Sequence, residues 1–143
     1  MKLWTKTSDA LSDVTDFTTG NDPTWDAYLA RFDVLGSMAH IRMLQSIGLL
    51  TAEELHSLTA ELKKILKSVD DNKFQLEAGV EDVHSQVEIM LTRTLGDVGK
   101  KIHSGRSRND QVLVDTKLFL RNEIRRLVGD VQQLFNLLLD KSE

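Results

Sequence analysis

Ser107, Arg108 and Asn109 stand together in the most basic stretch of the sequence, directly ahead of a long helical pattern. A helix start offers unpaired backbone N–H groups and the positive end of the helix dipole, and an arginine adds a planar fork that matches a carboxylate. The three residues are therefore a candidate carboxylate clamp, with Asn109 or Asp110 as the expected N-cap. The competing reading is an ordinary, well-capped basic loop, since capped polar loops are common. His84 is the second candidate. It follows Glu81 and Asp82 near the start of another helical pattern, where an imidazole can hydrogen-bond a ligand or carry charge near neutral pH. Its competing reading is a histidine on a helix surface. Asp82 reads as a helix stabiliser rather than a chemical group, because carboxylates favour the first turn. His40 and His56 read as structural or solvent-facing, and His103 as a residue that positions the basic loop.

The elements that must position these residues follow from hydrophobic periodicity. Residues 5–24 are rich in Thr, Ser, Asp and Gly and are expected to be loop. From Trp25 a helix is predicted, with Val34, Met38, Ile41 and Leu44 at spacings of three and four and a stop at Gly48. Thr51-Ala52-Glu53-Glu54 predicts a capping box. The helix after it has the stripe Leu55, Leu58, Leu62, Ile65 and Val69, with Glu61, Lys63, Lys64 and Lys67 wet, and closes at Asp70-Asp71-Asn72. Val80, Val83, Val87, Met90 or Leu91 and Leu95 mark a third helix ending at Gly96. Between Lys100 and Asp110 four basic residues face one acid, and from Gln111 a helix is expected with Leu113, Leu120, Ile124, Leu127, Val131, Leu134 and Leu138 in heptad-like register. Leu137-Leu138-Leu139 is more apolar than a helix with one wet face needs, so partners for this helix are expected outside the sequence. With no alternating strand pattern, the class is all-α.

Composition narrows the function classes. The 143 residues suit a single core, and 41% hydrophobic with 28% charged residues and one proline describes a globular chain. No apolar run reaches membrane-crossing length, and no apolar leader is present, so a cytoplasmic protein is expected. The absence of cysteine excludes disulfides and thiolate metal sites within these residues. A formal net charge of −4 argues against a nucleic-acid binder.

The run His103-Ser104-Gly105-Arg106-Ser107-Arg108-Asn109-Asp110-Gln111-Val112 resembles the signature segment of the argininosuccinate lyases, with Ser104 where Thr is usual. Lys2-Leu3-Trp4 is similar to that family's opening, Asp33-Val34-Leu35-Gly36-Ser37 to its first-helix motif, Gly48-Leu49-Leu50-Thr51 to its helix junction and Glu81-Asp82-Val83-His84 to its acidic-histidine helix start. Thr5-Lys6 and the loop Thr18-Thr19-Gly20-Asn21-Asp22-Pro23 depart from the family pattern, so no contact is carried over there.

The resemblance implies the all-α fold of the fumarase/aspartase superfamily: an N-terminal helical domain over residues 1–109, with the signature loop at 103–112, and from residue 110 to 143 the truncated first helix of a central bundle. It implies reversible elimination of fumarate from argininosuccinate to give arginine, without metal or organic cofactor, in a homotetramer whose sites form between subunits. Ser107, Arg108, Asn109 and His84 would bind substrate, and Asp26 would meet its arginine half. The catalytic histidine and serine of the family lie in later segments, so the chain is expected to be an inactive, self-associating fragment. Other fumarate-releasing lyases, a crystallin-like structural member of the family and a helical interaction module are the alternatives.

Overall fold

The computed structural model describes residues 20–142, and every regular element among them is helical. Helix α1 spans Asp22–Asp26 and runs through a 3-10 turn, Ala27–Leu29, into α2, Ala30–Ser46. The expected loop thus ends earlier than its composition indicated. Pro23 sits in the first turn of α1, where its fixed φ and missing N–H cost nothing. Lys2-Leu3-Trp4 and Thr5-Lys6 lie outside the described residues.

Helix α2 ends as its sequence predicts. Gly48 adopts φ of +80°, its N–H donates to the Gln45 carbonyl and the Leu49 N–H donates to that of Leu44. These paired bonds satisfy the last carbonyls of the helix, and the left-handed residue between them favours glycine. Helix α3, Ala52–Asp70, begins with the predicted capping box: the Glu54 N–H donates to Thr51 Oγ1 (3.2 Å) and the Thr51 N–H to Glu54 Oε2 (3.0 Å). Its stripe is buried at Leu58, Leu62 and Ile65. Glu61 is the exception on the wet face; Lys64 pairs with it at 2.8 Å and its side chain is only 15% exposed.

Helix α4, Val83–Leu95, starts later than the apolar pattern suggests. Val80 is buried ahead of it, and Asp82 is its N-cap, accepting from the Ser85 N–H at 2.8 Å. A short α5, Asp97–Lys100, and a 3-10 turn, Lys101–His103, then fold the basic segment back onto α4. The His40 ring contributes Nε2 to the Ser104 carbonyl at 2.9 Å, which ties this segment to α2 and gives His40 the structural role expected of it.

The core is formed by Val34, Ile41 and Leu44 of α2, Leu58, Leu62 and Ile65 of α3, and Val83, Val87 and Leu91 of α4, closed by Leu50 and Ile102. Helix α6, Arg108–Ser142, leaves this core after its first turns. Its docking face is Gln111, Asp115, Leu118 and Phe119, with Phe119 edge-on to Phe32 at 5.8 Å between ring centroids. The heptad-like stripe lies on another face and is exposed from Leu113 to Leu138. Gly36 permits the crossing of α2 and α6, since a Cβ there would stand 3.2 Å from Val114 Cγ1 and 3.5 Å from Asp115 Oδ1. No described helix is long and apolar enough to cross a membrane.

Candidate active site

Ser107, not Asn109 or Asp110, precedes the first helical residue of α6. Its hydroxyl receives the Asp110 N–H at 3.4 Å, and the Asp110 carboxylate receives both the Ser107 N–H (2.8 Å) and the Ser107 hydroxyl (3.1 Å). This is a capping box with aspartate in the fourth position. The Ser107 N–H and hydroxyl hold the Asp110 carboxyl below its usual range. Arg108 and Asn109 are consequently the first two residues of the helix, carrying two of the N–H groups that no helix can satisfy internally. Asn109 is exposed and Arg108 half-buried.

The start of α4 lies beside them. Arg108 Nη1 reaches Asp82 Oδ2 at 3.1 Å and Glu81 Oε1 at 3.5 Å, so the N-cap carboxylate of one helix pairs with the first residue of another. Asp26 adds a second cap, its Oδ2 receiving the Val83 N–H at 2.6 Å. Burial pushes the Asp26 carboxyl up, against the Val83 bond and the nearby His84. Thus Asp26, His84 and Arg108 converge on the start of α4, and Ser107 and Asn109 flank Arg108.

His84 is not a surface residue. It is buried, with Nδ1 donating to Asp33 Oδ1 at 2.7 Å and 3.6 Å from Asp115 Oδ2. Gln111 Nε2 donates to the same Asp33 oxygen at 3.4 Å. Burial alone would lower the His84 pKa, but the bond to Asp33 and the charges of Asp33, Asp115 and Asp82 outweigh it, and the net shift is upward. Asp115 is pushed up to about 7, first by burial and then by the negative charge of Asp33, against attraction from His84 and Arg106. Arg106 feels the charge of both carboxylates and donates from Nη2 to Ser37 Oγ at 2.9 Å.

Asp33, Asp115, Gln111, Arg106 and Ser37 carried no functional reading in the sequence. Their signal was polar residues four apart: Asp33 with Ser37, among otherwise apolar buried positions of α2, and Gln111 with Asp115, the two buried residues of α6. The site is also where hydrogen bonding is incomplete. Asp33 Oδ2, Glu81 Oε2, His84 Nε2, Arg106 Nε, Gln111 Oε1 and Asp115 Oδ2 are buried without a partner. Buried polar groups are nearly always paired, so their concentration in one region makes it the candidate site.

Asp33, His84 and Asp115 each offer one ligand atom, all within 4.8 Å of one another, a spacing a cation could use. The Nδ1 to Asp33 bond already occupies that geometry, and Arg106 brings a positive charge against it. The arrangement fits proton sharing better than metal coordination.

Comparison with known proteins covers nearly the whole chain. Residues 5–143 match the family described as "Lyase". The argininosuccinate lyase of Bacteroides thetaiotaomicron is 63% identical over 142 residues, 99% of this chain and 32% of that protein. Those of Phocaeicola vulgatus and Methylococcus capsulatus are 61% and 42% identical, again over 99% of the chain and over 32% and 30% of their own lengths. The chain therefore spans about a third of the relatives it matches.

Proposed function

The chain belongs to the lyase family, and from that we propose that the protein containing it is an argininosuccinate lyase, releasing fumarate from argininosuccinate and leaving arginine. The observation that carries this reading is the convergence of Asp26, His84 and Arg108 at the start of α4, with the first turn of α6 presenting Asn109 beside them.

The chemistry of such an elimination suits these parts. A proton leaves the carbon beside a carboxylate, and negative charge then grows on that carboxylate. Donors fixed in place before reaction stabilise the growing charge more than they stabilise the ground state. The first-turn N–H groups of α6, the Asn109 amide and the Arg108 guanidinium are donors of this kind, and the Ser107–Asp110 box fixes their direction. Arg108 already faces Asp82 and Glu81, so a substrate carboxylate shares this cation with protein acids and need not recruit it from solvent. Asp26 offers a carboxylate to the ammonium or guanidinium of the arginine half. His84 contributes Nε2, its unpartnered ring nitrogen.

In the same reading, residues 1–109 form an N-terminal domain and residues 110–143 open a helical bundle. The acid and base that move the protons come from elsewhere in a cytoplasmic homotetramer, and these 143 residues alone are inactive. The exposed apolar side chains of α6 from Leu113 to Leu138 are consistent with a bundle partner.

Substrate choice tests the proposal. The intact protein should raise the ultraviolet absorbance of fumarate when given argininosuccinate, and should leave malate, aspartate and adenylosuccinate unchanged. Release from adenylosuccinate and not from argininosuccinate would transfer the protein to a different lyase.

A further inference from the structure

Three helices each bring one buried ionisable side chain to a common point: Asp33 from α2, His84 from α4 and Asp115 from α6. Helices dock more favourably on apolar side chains, because a buried carboxylate loses its hydration and must be repaid by partners. The docking face of α6 nonetheless begins with Gln111 and Asp115, and both Asp33 and Asp115 are 1% exposed. Packing does not account for that choice.

The hydrogen-bond geometry does. Asp33 Oδ1 receives His84 Nδ1 at 2.7 Å and is held from the other side by Gln111 Nε2. With the carboxylate oxygen accepting, the proton of this bond sits on Nδ1 and the ring cannot turn without breaking it. Asp115 Oδ2 lies 3.6 Å from the same nitrogen. What remains of the imidazole is Nε2, which no protein atom satisfies.

We propose that Asp33 and Asp115 are positioning residues for His84, holding its proton on Nδ1 and its ring in one orientation so that Nε2 is the atom that meets the substrate. The inference rests on the lyase reading of the site. The charged groups around His84 are Asp33 on α2, Asp26 on α1, Asp82 at the start of α4 and Asp115 on α6, while Arg106 faces the two inner carboxylates from the preceding loop. Burial and the neighbouring Asp33 carboxylate push Asp115 up to about 7, and the attraction of His84 opposes that shift. The orienting acid of a His–Asp pair holds its histidine in other enzymes, where its loss leaves the fold intact and lowers the rate.

The test uses the intact protein. Asp33→Asn should lower kcat on argininosuccinate by roughly 100-fold or more while KM moves less than about threefold, with an unchanged circular dichroism spectrum. Histidine-selective nitrogen-15 spectra, with the His84 signals identified from a His84→Gln variant, should show protonated Nδ1 in the parent and a changed pattern in Asp33→Asn. Asp115→Asn should lower kcat less than Asp33→Asn does and remove the inflection near pH 7 from its pH profile. A chelator should leave the parent rate unchanged. Unaltered kcat and nitrogen shifts in Asp33→Asn overturn the proposal, as does loss of activity on chelation. If Asp33→Asn does not fold, an unchanged pH profile in Asp115→Asn overturns it. If the intact protein releases no fumarate, the lyase reading fails separately, and the nitrogen shifts decide the positioning of His84: protonated Nδ1 that depends on Asp33 supports it and any other pattern refutes it.

Discussion

Gly99→Ala should cost about 3 kcal/mol or more of stability, the order expected for overpacking against atoms that cannot yield. A Cβ at this position would lie 2.5 Å from the Leu91 carbonyl carbon and 2.6 Å from both the Leu91 oxygen and the Thr92 nitrogen. These are backbone atoms inside α4, so relief requires α5 to lift away. The segment that follows α5 carries Ile102 into the core and Ser104 against His40, and it ends at Ser107. Displacing α5 therefore also moves the start of α6. Thermal unfolding of the variant should begin well below that of the parent, and activity should fall with it. An equal melting temperature would mean that α5 does not pack against α4 as described.

Raising the pH from 5 to 8 should destabilise the fold through Asp115, by about 3 kcal/mol at most. The sign follows from proton counting. In the unfolded chain an aspartate is ionised above about pH 4, whereas in the folded protein Asp115 keeps its proton up to about 7. Over the intervening range the folded state binds more protons, so stability falls as pH rises. Above pH 5 this spans roughly two pH units at about 1.4 kcal/mol each. His84 acts in the same direction: its pKa is raised by folding, so its contribution is complete below the unfolded value and lost as pH climbs through the folded one. Asp110 is shifted the opposite way, but its titration is over before this window opens. Denaturant midpoints at pH 5.5 and pH 8 should differ in the parent, and Asp115→Asn should remove most of the difference. A parent that gains stability toward pH 8 would contradict the protonated Asp115.

The helices themselves were legible because local chemistry and packing agree. Thr51 and Glu54 capped α3 as their spacing indicated, Gly48 stopped α2, and Leu58, Leu62 and Ile65 fell on the buried face. The start of α6 was misread because Ser107, Asn109 and Asp110 all favour N-caps, and the deciding feature was the pairing of Ser107 with Asp110 three residues on. Its docking face was not singled out at all. The apolar stripe was read as a face whose partners lie outside the sequence and is exposed from Leu113 to Leu138, whereas the side that meets α2 opens with Gln111 and Asp115. A pattern of hydrophobicity cannot distinguish a face that packs within these residues from one left exposed by them.

The site was legible in part. His84, Arg108 and Asp26 all lie around the start of α4, although nothing in the spacing of residues 26, 84 and 108 shows that three helices bring them to one region. Asp33 and Asp115 stayed hidden because a lone acid inside an apolar pattern reads as a surface position until its partners are known. They are 82 residues apart in sequence and share one histidine.

The most direct measurement is fumarate release from argininosuccinate by the intact protein and by its Asn109→Ala variant, followed by absorbance. Activity in the parent that falls by roughly 100-fold or more in the variant, with an unchanged melting temperature, is the predicted result. A folded parent that releases no fumarate, or a variant as active as the parent, would contradict the assignment of the α6 start as the carboxylate-binding end of a lyase site.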